Sequence, residues 1–193
     1  MICAVRGGAI DVVEELIENN ISLTQTGFAG TTPLLTACIY NESGIAEILL
    51  QSSAELSLDL TEAVDDYGFD AYLTAAKCDA REVFDVLLQE THSIKFKSSN
   101  KGDSTLYWVL QNQLVEREEL IKQLKEDKQN AVVLTEALFC ASIYNNDHIK
   151  DVLHEIEHEL KQSWYKPLEF ILFDITVQFL SMSYLSSINI FNR

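Results

Sequence analysis

The segment Leu34-Leu35-Thr36-Ala37-Cys38-Ile39-Tyr40-Asn41 returns, with changes, as Leu138-Phe139-Cys140-Ala141-Ser142-Ile143-Tyr144-Asn145. The copies lie 104 positions apart, three units of about 35 residues, and a period in that range predicts a stacked repeat protein. The intermediate units can be found. Ala37-Cys38 is followed by Ile45-Ala46 and Leu49-Leu50. In the same order, Tyr72-Leu73 precedes Ala75-Ala76, Val83-Phe84 and Leu87-Leu88. Thr105-Leu106-Tyr107 opens another copy, with Val109-Leu110 at the small-residue site, and Leu138-Phe139 leads to Ile149 and Leu153. Upstream, Ala4 to Gly8 runs into Val12-Val13 and Leu16-Ile17. Leu34, Tyr72, Leu106 and Leu138 are spaced 38, 34 and 32, a slightly irregular array.

One unit can be read physically. Thr32 is able to cap a helix whose first residue is Pro33. Leu34, Ala37 and Cys38, three and four apart, give that helix a narrow apolar face with small residues for close packing. After a polar turn, Ile45, Ile48 and Leu49 line a second helix. Two antiparallel helices cannot bury such faces alone, so neighbouring pairs stack and share a continuous core. The expected architecture is all-α, a solenoid of antiparallel helix pairs with projecting loops.

Gly30-Thr31-Thr32-Pro33-Leu34 through Leu50, and Arg6-Gly7-Gly8 through Ile17, resemble the ankyrin repeat. The resemblance covers residues 1–160 as units 1–26, 27–64, 65–98, 99–130 and 131–160. The helix-start Thr-Pro is replaced elsewhere by Asp70-Ala71, Ser104-Thr105 and Glu136-Ala137. The glycine ending the first helix survives as Gly8 and becomes Asn41, Asp79, Gln113 and Asn145. Asn and Asp tolerate a left-handed backbone, whereas Gln113 fits poorly, and Leu120-Ile121 slips off register. That unit is expected to be distorted.

For an ankyrin-like stack the resemblance implies a non-enzymatic module that another protein meets through loop tips and first-helix faces. The positions implied are Phe28, Ala29, Thr31, Ile39 and Tyr40 in the second unit, and Asp66, Tyr67, Phe69 and Lys77 in the third. Asn100, Lys101, Asp103, Gln111 and Asn112 follow in the fourth, and Ile143 and Tyr144 in the fifth. The exposed aromatics are the expected anchors of interface energy. The acidic run over residues 59–66 contains the extra residues behind the 38-residue spacing, so its loop is expected to project furthest. The alternative function is the ankyrin portion of a larger protein, a channel or an enzyme, which it regulates or positions.

Charge narrows the partner. Residues 1–90 hold 16 acidic and 3 basic side chains, and the whole chain has a net charge of −16. Such a field repels nucleic acid and anionic lipid and favours a basic protein segment. Cys3, Cys38, Cys78 and Cys140 lack disulfide or metal spacing and read as buried, reduced thiols of an intracellular protein, cytoplasmic or nuclear. No metal or other cofactor is expected.

His154-Glu155-Ile156-Glu157-His158 matches the zinc-protease pattern His-Glu-x-x-His, with both imidazoles on one helical face. It places Glu157 where working proteases carry an uncharged residue, lacks the downstream extension, and would need Glu169 as third ligand. A metal-dependent hydrolase is therefore the remote alternative. The segment 115–128 reads as a solvated helix with a Glu118–Lys122 pair.

The tail over 161–193 changes character. Lys166-Pro167-Leu168 suggests a degenerate sixth repeat, but residues 175–191 carry no charge. Three readings of this tail stay open: an apolar segment folded on the last repeat, a truncated end of a longer array, and a membrane-associated segment. The start inside a repeat also suggests a piece of a longer array.

Overall fold

The computed structural model describes residues 1–127 and 129–163. Their helices alternate as first and second members of five successive units. The first members are α1 (Ile2–Arg6), α3 (Pro33–Tyr40), α5 (Ala71–Lys77), α7 (Thr105–Gln111) and α9 (Asn130–Ile143). The second members are α2 (Ile10–Glu18), α4 (Ser43–Glu55), α6 (Arg81–Thr91), α8 (Arg117–Glu126) and α10 (Asp147–Ser163). First helices pack in series, α1 on α3, α3 on α5, α5 on α7 and α7 on α9, as an inner row. Second helices form an outer row in which α2 meets α4, α4 meets α6, and α8 meets α10. This is the all-α repeat solenoid the periodicity requires.

Local chemistry starts the helices. The Thr32 hydroxyl accepts the Leu35 N–H at 3.2 Å ahead of Pro33, and the Asp70 carboxylate accepts the Leu73 N–H at 2.8 Å. Each satisfies a donor that the first helical turn leaves free. Ala37, Cys38, Ala75, Ala76 and Ala141 are fully buried between rows, and their small size lets backbones approach. The outer row supplies Leu49, Leu87, Leu124 and Leu153, also fully buried. Each such leucine contributes about 1.5–3 kcal/mol by leaving water. Tyr72 is the largest fully buried side chain among the described residues. Its ring stands at 86° to Phe84, and its hydroxyl donates to the Leu87 carbonyl at 3.2 Å.

Several expectations need correction. Gln113 takes the same left-handed conformation, φ +50°, as Gly8 (+64°), Asn41 (+55°), Asp79 (+54°) and Asn145 (+50°). The stack demands that turn, and Gln accepts the strain. The distortion of the fourth unit lies beyond it, where residues 112–116 join α7 to α8 against 41–42 in the second unit. Helix α8 covers only Arg117–Glu126, and Lys122 pairs with Glu119 at 3.3 Å rather than with Glu118.

Helix α9 does not start at Glu136-Ala137 but at Asn130, so it fills the space that a loop before the fifth unit would occupy. Two thiols, Cys38 and Cys140, are buried, but Cys3 and Cys78 are exposed. Cys3 lies on α1, packed against α3 on one side among the described helices, and Cys78 ends α5 on the inner surface. The sixth-repeat motif at Lys166-Pro167-Leu168, the uncharged stretch 175–191 and Glu169 lie outside the described residues. Among the described residues no helix is long and apolar enough to cross a membrane.

Candidate interaction surface

Three loops precede α3, α5 and α7, and all are built alike. Each closes with a hydrogen bond four residues along: Gly27 N–H to Thr31 O at 2.8 Å, Asp65 to Phe69 at 3.1 Å, Ser99 to Asp103 at 2.8 Å. Gly30, Gly68 and Gly102 make the bend at φ +74°, +82° and +86°, a region that costs other residues strain. The loops are tied in sequence. The Asp66 N–H donates to the Ala29 carbonyl at 3.0 Å, and the Asn100 N–H to the Tyr67 carbonyl at 2.9 Å. Asp66 and Asn100 therefore sit over Gly30 and Gly68; a Cβ on Gly30 would collide with Asp66, and one on Gly68 would crowd Asn100.

This ladder corrects the expected prominence of the third unit's loop. Its extra residues fold inward as a short 3-10 turn, Leu60–Glu62, with Leu60 and Thr61 buried. The Lys95 ammonium clamps that turn, at 3.1 Å from Asp59, 2.6 Å from Thr61 and 2.7 Å from Glu62. Lys97 adds a contact to Glu62 at 2.8 Å. Hydrogen bonds from Lys95, then Lys97, hold the Glu62 carboxyl below its ordinary pKa. Asp65 accepts the N–H groups of Tyr67 and Phe69, both at 2.9 Å. Most of the acidic run thus builds the loop, and Asp66 remains exposed at its tip.

On the inner row, Arg6, Ile39, Lys77, Gln111 and Ile143 occupy equivalent positions two residues before each left-handed turn. Ile39 and Tyr40 are both 44% exposed, and Ile143 and Tyr144 reach 49% and 44%. The Arg6 guanidinium lies 5.6 Å from the centre of the Tyr40 ring. Phe28 is 93% exposed at the first loop tip. Thr31 is half-buried and Tyr67 exposed with the Lys101 ammonium 4.6 Å from its ring. Phe69 is half-buried under the Lys77 ammonium at 4.9 Å. Gln111 is exposed, while Asn112 turns inward and donates to the Ala76 carbonyl at 2.7 Å.

Asp103 departs from a surface role: it is 6% exposed. One carboxylate oxygen accepts from Lys77 at 2.8 Å, from the Tyr144 hydroxyl at 2.9 Å and from the Trp108 ring N–H at 3.2 Å. Burial alone raises this carboxyl's pKa, but Lys77, Tyr144 and Trp108 outweigh it and hold it below the ordinary value. The residue fixes the aromatic side chains around it. Tyr107 stacks on Tyr144 at 5.5 Å, and Trp108 meets Tyr144 edge-on at 5.2 Å.

Sequence reasoning missed Trp108. The available signal was its size, since it stands where other units have Thr36, Thr74 and Cys140. It also missed the partition of charge. In the described helices every acidic residue except Glu136 of α9 lies on the outer row. The inner row is neutral apart from Arg6, Lys77 and Glu136.

The His154–His158 motif is on the outer row. Arg117 grips Glu155 at 2.9 Å and Glu159 at 2.7 Å, which engages the carboxylate that would serve as base. His154 approaches Glu157 at 3.7 Å. Among the described residues no cluster of His, Cys, Asp or Glu is suited to hold a metal ion.

With helix pairs, caps, looped bends and inner row in place, comparison with known families follows. The family model for ankyrin repeats, in three copies, matches residues 1–98. The chain belongs to the ankyrin-repeat family. No curated protein matches it. Members of this family are generally protein–protein interaction modules, and the fold is typically non-catalytic.

Proposed function

We propose that the inner row and the loop tips form one docking surface for another protein, and that the chain acts as a non-enzymatic adaptor. The observation that carries this reading is the exposure of large apolar side chains, Ile39, Tyr40, Ile143 and Tyr144, on helices that bear almost no charge. Tyr and Phe at such positions contribute area at small entropic cost, as interface anchors do. Phe28, Tyr67 and the exposed Asp66 extend the surface along the loops, with Thr31, Phe69, Lys77, Asn100, Lys101, Gln111 and Asn112 beside or beneath them. Asp103 supports it from below.

The partner is a segment with apolar anchors for the inner row and basic residues for its margins. The net charge of −16 sits mainly on the outer row, so it hastens encounter with such a segment more than it holds the complex. Exposed free thiols at Cys3 and Cys78 fit a reducing compartment, so we place the protein in the cytoplasm or nucleus.

The test is a double variant, Tyr40→Ala with Tyr67→Ala, used beside the parent as bait in native lysate. Proteins retained by the parent should be lost from the variant, while the melting temperature changes by no more than about 2 °C. Equal retention by both overturns the assignment of the surface. A melting point lower by roughly ten degrees shows instead that the rings are core.

A further inference from the structure

The loop ladder stops one unit before the helix stack does. The carbonyls of Ala29 and Tyr67 each accept the N–H of the next loop, at 3.0 and 2.9 Å. Lys101 holds the equivalent position in the third loop, and its carbonyl accepts no hydrogen bond among the described residues. The reason is α9, which begins at Asn130 and runs through the place of a fourth loop. Between loop and helix lies a notch of about 360 Å³, walled by Ser98, Asn100, Lys101 and Gly102 on one side and by Glu136 and Phe139 on the other.

Two features fix what the notch accepts. In each preceding step a backbone N–H, that of Asp66 or Asn100, enters at this carbonyl, so the occupant is a chain that offers a backbone N–H there and adds a rung to the ladder. The charge is also defined. Glu136 accepts from the Ser98 hydroxyl at 2.8 Å and has no cation within 4.0 Å among the described residues. The Lys101 ammonium is drawn back over the Tyr67 ring, away from the far wall. The carboxylate therefore faces a space without a counter-charge.

We infer that this notch is a second docking site, which takes a segment of another protein with a backbone N–H on the Lys101 carbonyl and a basic side chain on Glu136. It is distinct from the exposed apolar side chains of the inner row, and it reads main chain and charge where the inner row offers rings.

The full chain, labelled with ¹³C and ¹⁵N, can be titrated with acetyl-Lys-Val-Lys-Val-Lys-Val-amide. Binding should move the Lys101 carbonyl carbon and the Asn100 and Gly102 amides. The same peptide methylated on every backbone nitrogen should bind about tenfold more weakly, since the added hydrogen bond is lost. Glu136→Gln, which keeps an acceptor for Ser98 but removes the charge, should weaken binding several-fold. Equal affinity for the methylated peptide, absence of binding, or shifts confined to Ile39 and Tyr40 would overturn the inference. So would a through-bond coupling, in the peptide-free protein, from the Lys101 carbonyl to an amide of residues 164–193 or of a second copy.

Discussion

Asp103 shows how one residue can serve a surface it does not belong to. Its oxygen gathers an ammonium, an indole N–H and a phenol from α5, α7 and the end of α9, three consecutive first helices. Replacing it with Ala leaves Lys77 half-exposed and able to hydrate, so the loss is set by the hydrogen bonds, about 2 kcal/mol. Thermal unfolding should then fall by roughly 4–8 °C, followed by circular dichroism at 222 nm. Acid provides a second measure. A carboxyl whose folded pKa is depressed contributes stability that is complete above its unfolded value and disappears as pH drops through the folded one. Asp59, Glu62 and Asp103 are all of this kind. The urea midpoint should therefore decline as pH is lowered below about 4.5, and the decline should be shallower in Asp103→Asn. Asp59 and Glu62 are more than half exposed, so added salt should reduce their share and spare that of Asp103.

At the scale of elements, the repeated left-handed turn separates side chains that serve from one that merely tolerates. Asn41 both takes the turn and accepts the Val83 N–H at 3.3 Å, capping the next outer helix. Gln113 offers only its backbone: its N–H bonds to Leu110, and its carbonyl receives Arg81 at 3.0 Å. Gln113→Gly should therefore stabilise the chain by about 1 kcal/mol, and Asn41→Gly should not, both read as shifts in the urea midpoint. The turns were legible because Gly, Asn and Asp announce them. The early start of α9 was not, since residues 130–136 carry no Pro or Gly, and Asn130 and Thr135 offer rival helix starts with nothing local to choose between them. The inward fold of the longest loop was equally hidden. It depends on Lys95 and Lys97, more than 30 residues from the acids they clamp, and acidity alone reads as solvated surface.

For the whole molecule, the period and the small-residue pairs were sufficient for the fold, because each unit must bury its faces on the next. The candidate surface was legible by position but not by burial. Asp103 stands where Phe69 does on its loop and Asp66 where Asn100 does, yet nothing in the residue type says that the first is buried and the second exposed. The same nearest-neighbour packing predicts graded stability. Leu153→Ala, in α10, should cost about 2–5 kcal/mol. It should raise amide exchange in α9 and α10 well before it affects α3 to α6, which hydrogen–deuterium mass spectrometry can follow. The segregation of acid to the outer row has a practical consequence too. The described helices carry an electrical polarity, with the outer row negative and the inner row nearly neutral. On a cationic support the molecule should lie down on its outer helices at low salt and leave Tyr40 and Tyr144 facing the liquid, an orientation that no tag or linker has to impose.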